Sequence, residues 1–213
     1  MMTQSRQWTE HWLKIIDCWR FYVVFGVCTK NCWIMWVTLI YLASYCFVYA
    51  SCVLCMYSLT ASASEDCTIK IWDFETAQYE RTLKGHTGSV TSVTFSPSGA
   101  LLASTSADMT AKLWDTTSFQ CTKTLRGHDH TLSGVVFAPS GDQVFTCARD
   151  QTIKCWEVAS GFSLKTFSGH SEWVRALTIS ADGTTLASGS SDHTVIVWKV
   201  DNGVQLQVSG FTW

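Results

Sequence analysis

The sequence predicts an all-β fold of repeated four-stranded antiparallel sheets, and three observations carry that prediction. Trp72, Trp114, Trp156 and Trp198 stand 42 residues apart (114−72, 156−114, 198−156). Asp66, Asp108, Asp150 and Asp192 keep the same step, as do Ser62, Ser104, Thr146 and Ser188, each four residues before its acid. A Gly-His pair recurs at Gly85-His86, Gly127-His128 and Gly169-His170. A strict period of roughly 40–45 residues with Gly-His and Trp-Asp marks is that of four-stranded propeller blades.

Within one period the elements can be taken in order. SVTSVTF (Ser89 to Phe95), ALLAST (Ala100 to Thr105), MTAKLWD (Met109 to Asp115) and CTKTL (Cys121 to Leu125) are short alternating or β-branched runs, and each reads as a strand. The first and second runs of a period are joined by SPSG (Ser96 to Gly99), APSG (Ala138 to Gly141) or SADG (Ser180 to Gly183). In these tight turns glycine supplies a positive φ at no steric cost. A sheet of this kind cannot bury both faces alone, so successive sheets must stack.

Three full periods begin at the Gly-His pairs, and a partial one precedes them. Ser44 stands where 86−42 would place a histidine, so the first sheet is expected to lack its first strand. The predicted architecture is a partial propeller of about three and three-quarter blades over residues 58–213, after an unrelated extension over 1–57.

The residues that carry the period identify a WD-repeat chain, with Trp-Asp kept at Trp72-Asp73 and Trp114-Asp115 and relaxed to Trp156-Glu157 and Trp198-Lys199. The resemblance implies a hydrogen-bonded structural tetrad in each complete blade. Its members here are His86, Ser104, Asp108 and Trp114; His128, Thr146, Asp150 and Trp156; and His170, Ser188, Asp192 and Trp198. A buried Asp beside a His requires hydrogen bonds that satisfy both, and a buried indole N–H needs an acceptor. Ser, His and Asp also make up hydrolase triads, but a constellation that recurs three times at one spacing is structural, and no catalytic residue is expected.

Longer phrases narrow the resemblance. ASASEDCTIKIWDFETAQYERTLKGH (Ala61 to His86), LLASTSADMTAKLWD (Leu101 to Asp115), RGHDH (Arg126 to His130), ARDQTIKCWEV (Ala148 to Val158) and GHSEWVR (Gly169 to Arg175) resemble consecutive blades of the lissencephaly protein family. The likeness runs from about Ser58 to Leu206, about 70% of the chain. It implies a cytoplasmic, cytoskeleton-associated regulator of the microtubule motor dynein, and in animals the non-catalytic subunit of platelet-activating-factor acetylhydrolase, whose catalytic subunits become candidate partners. That family carries an N-terminal dimerisation motif, a coiled coil and a seven-bladed propeller, and this chain departs from it at both ends. By blade count it reads as a fragment, with sheet edges and an apolar face left open.

Met1 to Tyr57 shares no phrase with the rest and holds five of the eleven tryptophans and six of the ten cysteines. No charge occurs from Asn31 to Ser64, and residues 33–59 are long enough for a membrane-spanning helix. Lys14, Arg20 and Lys30 before that run, against Glu65 and Asp66 after it, would hold the N-terminus in the cytosol and put the blades outside, where a cytosolic regulator does not belong. Three readings stay open: unrelated codons joined to a true blade near Ser58, a membrane anchor, and a buried hydrophobic extension. A cleaved signal peptide fits poorly, because Trp8, Glu10 and Trp12 precede an overlong apolar run.

Cys67, Cys121, Cys147 and Cys155 lack paired spacing, sit in strand or turn positions and read as reduced core thiols. Cys52 and Cys55 form a lone CxxC without a second ligand pair, so neither metal nor cofactor is expected. A net charge of −2 with no basic block excludes a nucleic-acid footprint.

What remains is a protein-binding platform. Partners of propellers dock on the face bearing the loops after each Gly-His, here TGSVT, DHTLS and SEWVR. The third differs: Trp173 and Arg175 are the residue types enriched at interface hot spots. The residues before each tetrad acid reach the same face, which adds Glu65 and Arg149 to the candidates beside Ala107 and Ser191. Against this stand the plainer roles of Trp173 as packing between blades and of the arginines as solvated charges. A generic WD-repeat adaptor, soluble or held at a membrane by residues 33–59, is the alternative function.

Overall fold

In a computed structural model, which describes residues 48–54 and 59–210, each period folds as one antiparallel sheet with its strands in chain order. Short turns between six-residue runs leave each strand only its sequence neighbour to pair with. The first sheet holds β1 (Val48–Leu54), β2 (Leu59–Ser64), β3 (Thr68–Asp73) and β4 (Tyr79–Lys84). The second holds β5 (Val90–Phe95), β6 (Leu101–Ser106), β7 (Thr110–Asp115) and β8 (Cys121–Arg126). The third holds β9 (Leu132–Phe137), β10 (Gln143–Ala148), β11 (Thr152–Glu157) and β12 (Ser163–Ser168). The fourth holds β13 (Val174–Ile179), β14 (Thr185–Ser190), β15 (Thr194–Lys199) and β16 (Gln205–Gly210).

The all-β repeat architecture is as the sequence predicts, with one correction: the first sheet has its first strand. β1 begins one period before β5, since 90−48 is 42, and Val48 pairs with Ser64 as Val90 pairs with Ser106. The backbone groups along the edge of β2 need partners, and an uncharged run at the right offset supplies them whether or not a Gly-His precedes it. Val48–Leu54 and Leu59, inside the span read as membrane helix, are therefore strand. The rest of that span, Ser44, the CxxC residue Cys55 and residues 1–47 lie outside the described residues. Among the described residues no helix is long and apolar enough to cross a membrane.

The core lies between sheets. Ala61, Ile69, Ile71 and Leu83 of the first meet Val90, Phe95, Leu102 and Trp114 of the second. Leu113 and Leu125 then meet Leu132, Val144 and Trp156, and Phe145, Ile153 and Phe167 meet Leu186, Ile196 and Trp198. Burying a side chain of this size contributes about 1.5–3 kcal/mol, which makes these layers the main source of stability. The free thiols Cys147 and Cys155 belong to the last layer, where burial pushes them up to about 12 and about 11. Cys67 is half-buried in a turn and Cys121 is exposed on β8, so neither is a core residue.

Candidate functional site

The turn between the second and third strands of each sheet sets the site's framework. The residue after each periodic Asp takes a left-handed backbone, at Cys67 (φ 67), Met109 (φ 64), Gln151 (φ 69) and His193 (φ 63). The acid holds that strained turn from one side: Asp108 Oδ1 accepts the N–H of Thr110 at 3.0 Å and its hydroxyl at 2.6 Å. Its other oxygen accepts the Thr87 N–H at 3.0 Å and lies 2.8 Å from His86 Nδ1. One carboxylate thus ties the turn to the loop after the Gly-His.

From the imidazole the chain of bonds runs inward. His86 Nε2 is 2.8 Å from Ser104 Oγ, which accepts the Trp114 indole N–H at 2.9 Å. The corresponding distances are 2.6, 2.8 and 2.8 Å through Asp150, His128, Thr146 and Trp156, and 2.8, 2.8 and 2.8 Å through Asp192, His170, Ser188 and Trp198. The structure brings together all twelve residues that the resemblance assigned to tetrads. The ionised carboxylate accepts only, so His86 Nδ1–H donates to it, and Nε2 accepts the serine hydroxyl proton. Burial of Asp108 opposes its ionisation, but the bonds from Thr110, Thr87 and His86 outweigh that and hold it at about 2. Asp192 is likewise held at about 2, burial being outweighed by Thr194 and His170. Burial pushes the His86 imidazole down, more than Asp108 raises it. All these groups satisfy one another, so none is presented to a ligand.

Among the described residues of the first sheet, Trp72 donates to Ser62 at 3.0 Å, and Asp66 accepts the Thr68 N–H at 2.9 Å and its hydroxyl at 2.5 Å. Asp66 is exposed there.

The loop face reads differently. Three positions per junction reach it: the residue before the tetrad acid and two from the next sheet's leading loop and first strand. Within each of the last three sheets the pre-acid residue is tied in the same way to that sheet's own leading loop, with Ala107 N donating to Ser89 O, Arg149 N to Thr131 O and Ser191 N to Trp173 O, at 2.8, 2.8 and 2.9 Å. Thr91 and Ser133 share a column with Arg175, and their hydroxyls donate across the junction to the carbonyls of Leu132 and Val174. At the third junction that column carries a guanidinium.

Arg175 Nε donates to Ser191 Oγ at 2.7 Å, and its Cζ lies 3.9 Å from the Trp173 ring centroid. Arg149, reaching over from the third sheet, places its Cζ 5.2 Å from the same ring. Two cations therefore share one half-buried indole, whose N–H is buried without a hydrogen-bond partner among the described residues. Of the four candidates the structure gathers Trp173, Arg175 and Arg149; Glu65 is exposed on the first sheet, away from that cluster. Sequence reading missed Ser191, which fixes Arg175, although its place in the column of Glu65, Ala107 and Arg149 marked it. The cluster offers fixed positive charge beside a flat, half-buried apolar ring, which suits an acidic or mixed protein surface.

The WD domain, G-beta repeat family matches residues 45–73, 77–115, 119–157 and 161–199. Its first repeat opens upstream of Ser58 and includes β1. The chain is 56% identical over 48 residues to the nuclear distribution protein PAC1 of Arthroderma benhamiae, covering 22% of this chain and 10% of that protein. It is 51% identical over 47 residues to the Lissencephaly-1 homolog of Caenorhabditis briggsae, covering 22% and 12%. With the nuclear distribution protein nudF 2 of Aspergillus clavatus it shares 56% over 46 residues, covering 21% and 11%. The chain thus spans about a tenth of the length of the curated relatives it matches.

Proposed function

The chain belongs to the WD domain, G-beta repeat family, and from that premise we propose that it is a non-catalytic interaction scaffold that regulates the microtubule motor dynein. Microtubule-based transport, nuclear positioning and cell division are the processes it serves, in the cytoplasm and on the cytoskeleton. The phrases shared with the lissencephaly family and the relatives named for nuclear distribution support the partner. The observation that carries the site is the Arg149–Trp173–Arg175 cluster, whose desolvated indole and two guanidiniums are hot-spot chemistry. Tetrads whose polar groups are taken up by hydrogen bonds within their own sheets support the non-catalytic reading. Catalytic subunits of platelet-activating-factor acetylhydrolase are a further partner to test on the same face.

Binding of the dynein motor to the full chain, read by interferometry beside a melting curve, tests the reading. Arg175→Ala should weaken binding at least about tenfold, roughly 1.4 kcal/mol, while costing the fold about 1 kcal/mol or less. Wild-type affinity in that variant would remove the cluster from the contact. A wild-type chain that ignores dynein would leave the generic adaptor, for which the uncharged run from Asn31 to Ser64 is the one supporting observation.

A further inference from the structure

Among the described residues the outermost strand of every sheet leaves one edge unpaired, and such an edge recruits other strands unless charge or proline blocks it. β4 carries Glu80, Arg81 and Lys84, β8 carries Lys123 and Arg126, and β12 carries Lys165. Val204 to Gly210, which is β16 and the residue before it, carries no charge. Val204, Leu206 and Val208 are 52%, 54% and 54% exposed, where the second sheet has Gln120, Thr122 and Thr124 in the same columns. Lys112 donates to Thr124 at 2.8 Å and Lys154 to Thr166 at 3.1 Å across the rims of the second and third sheets. In the fourth, Ile196 opposite Val208 replaces that polar pair. The third sheet also exposes Phe162 and Leu164 in the columns of Val204 and Leu206, at 75% and 47%, but its outer strand carries Lys165. All four outer strands share the same bulge against their inner neighbour, so the lack of charge, not apolarity or shape, sets β16 apart.

The order of the residues selects the occupant. Val204-Gln205-Leu206-Gln207-Val208 reads the same in both directions. In an antiparallel pair related by a two-fold axis through Leu206, Leu206 meets its own copy, Gln205 meets Gln207 and Val204 meets Val208. Apolar side chains then face apolar ones, amide faces amide, and no like charges oppose. We propose that the free edge of β16 is a homodimerisation surface on which a second copy of this chain adds its own β16 antiparallel, joining two four-stranded sheets into one of eight. The edge of β4, with two cations and an acid, does not self-match in this way. The proposal is independent of any dynein contact, because the rim and the loop face are different surfaces.

Sedimentation velocity of the full chain over a concentration series tests it. A monomer–dimer equilibrium is expected, and Leu206→Lys should raise the dimer dissociation constant at least about tenfold by placing like charges on the axis. Leu164→Lys on β12 should change nothing. Val208→Lys repeats the test should the first variant melt early. Register is read by cross-linking: Leu206→Cys should form a disulfide-linked dimer above the wild-type background, whereas Val204→Cys should do so only when mixed with Val208→Cys. A wild-type chain monomeric at every concentration, or a dimer indifferent to both lysines, overturns the proposal.

Discussion

Between the second and third sheets the three loop-face positions hold Ala107, Thr131 and Ser133; one period on, between the third and fourth, they hold Arg149, Trp173 and Arg175. The backbone is the same at both, down to the N–H that the pre-acid residue donates to the leading loop. Across the second junction a small side chain serves the fold: Thr91 of β5 donates its hydroxyl to the Leu132 carbonyl of β9. At the third the same bond recurs from Ser133 to the Val174 carbonyl, and Arg175, stacked on Trp173, adds charge beside an indole N–H that has no partner among the described residues. A repeat therefore separates two kinds of information. Columns that never vary report on what every sheet needs, and a column that changes while its backbone does not reports on something outside the fold.

The largest effect should come from breaking what both junctions share. Asp150→Ala removes the acceptor of His128, of the Asp129 N–H and of Thr152 at once. It should destabilise the protein by about 2–4 kcal/mol. Asp142→Ala, at an exposed turn, should be nearly neutral. Equal denaturant midpoints for the two would mean that the tetrad does not bear on stability.

Acid should act on the same shared framework. His86 is pushed below its ordinary value and Asp108 is held at about 2, so the unfolded chain takes up protons before the folded one at both. Stability is then full above the unfolded histidine value near 6.5, falls as pH drops below it, and falls again below the unfolded carboxylate value near 3.8, as pH approaches about 2. Melting temperatures taken across pH 7 to about 2 should step down twice. A flat profile would contradict the bonded arrangement of His86 and Asp108.

Most of this framework was legible because the period writes it several times. Four residue types at 42-residue spacing fix the strands, turns and tetrads together. β1 was missed by reading for the Gly-His, a mark of the tetrad, when pairing depends on strand offset; Val48 stands in column with Val90, Leu132 and Val174. At the loop face the residue types of Trp173, Arg175 and Arg149 singled them out, but type could not say that two arginines from different sheets would meet on one ring. Glu65 qualified by position alone, and position without a neighbour across the junction gathers nothing. Its column placed Ser191 on that face, but only the structure shows that Arg175 uses its hydroxyl.

Converting the third junction toward the second sharpens the comparison. Arg175→Ser restores the residue type of Ser133 and gives up the cation–π contact and the bond to Ser191, a loss of about 1 kcal/mol or less. Chemical denaturation measures it. A loss several times larger would make Arg175 a structural residue of that junction and weaken its claim to a partner.

The smallest effect on stability, and the sharpest division between fold and function, should come from Trp173→Phe. The phenyl ring keeps a flat apolar surface between Arg149 and Arg175, so both cations retain a face to stack on, though a weaker one. What disappears is the indole N–H, buried without an acceptor among the described residues. An unmet buried donor costs about 1–3 kcal/mol, and removing it offsets the packing lost with the smaller ring. Stability should therefore hold within about 0.5 kcal/mol of wild type or rise slightly. If a partner supplies the acceptor, the same variant should bind it about tenfold more weakly, roughly 1.4 kcal/mol. A loss above about 1 kcal/mol in stability would mean that the donor is satisfied in the free protein, by water or a neighbouring segment. Trp173 would then belong with the columns that build the fold.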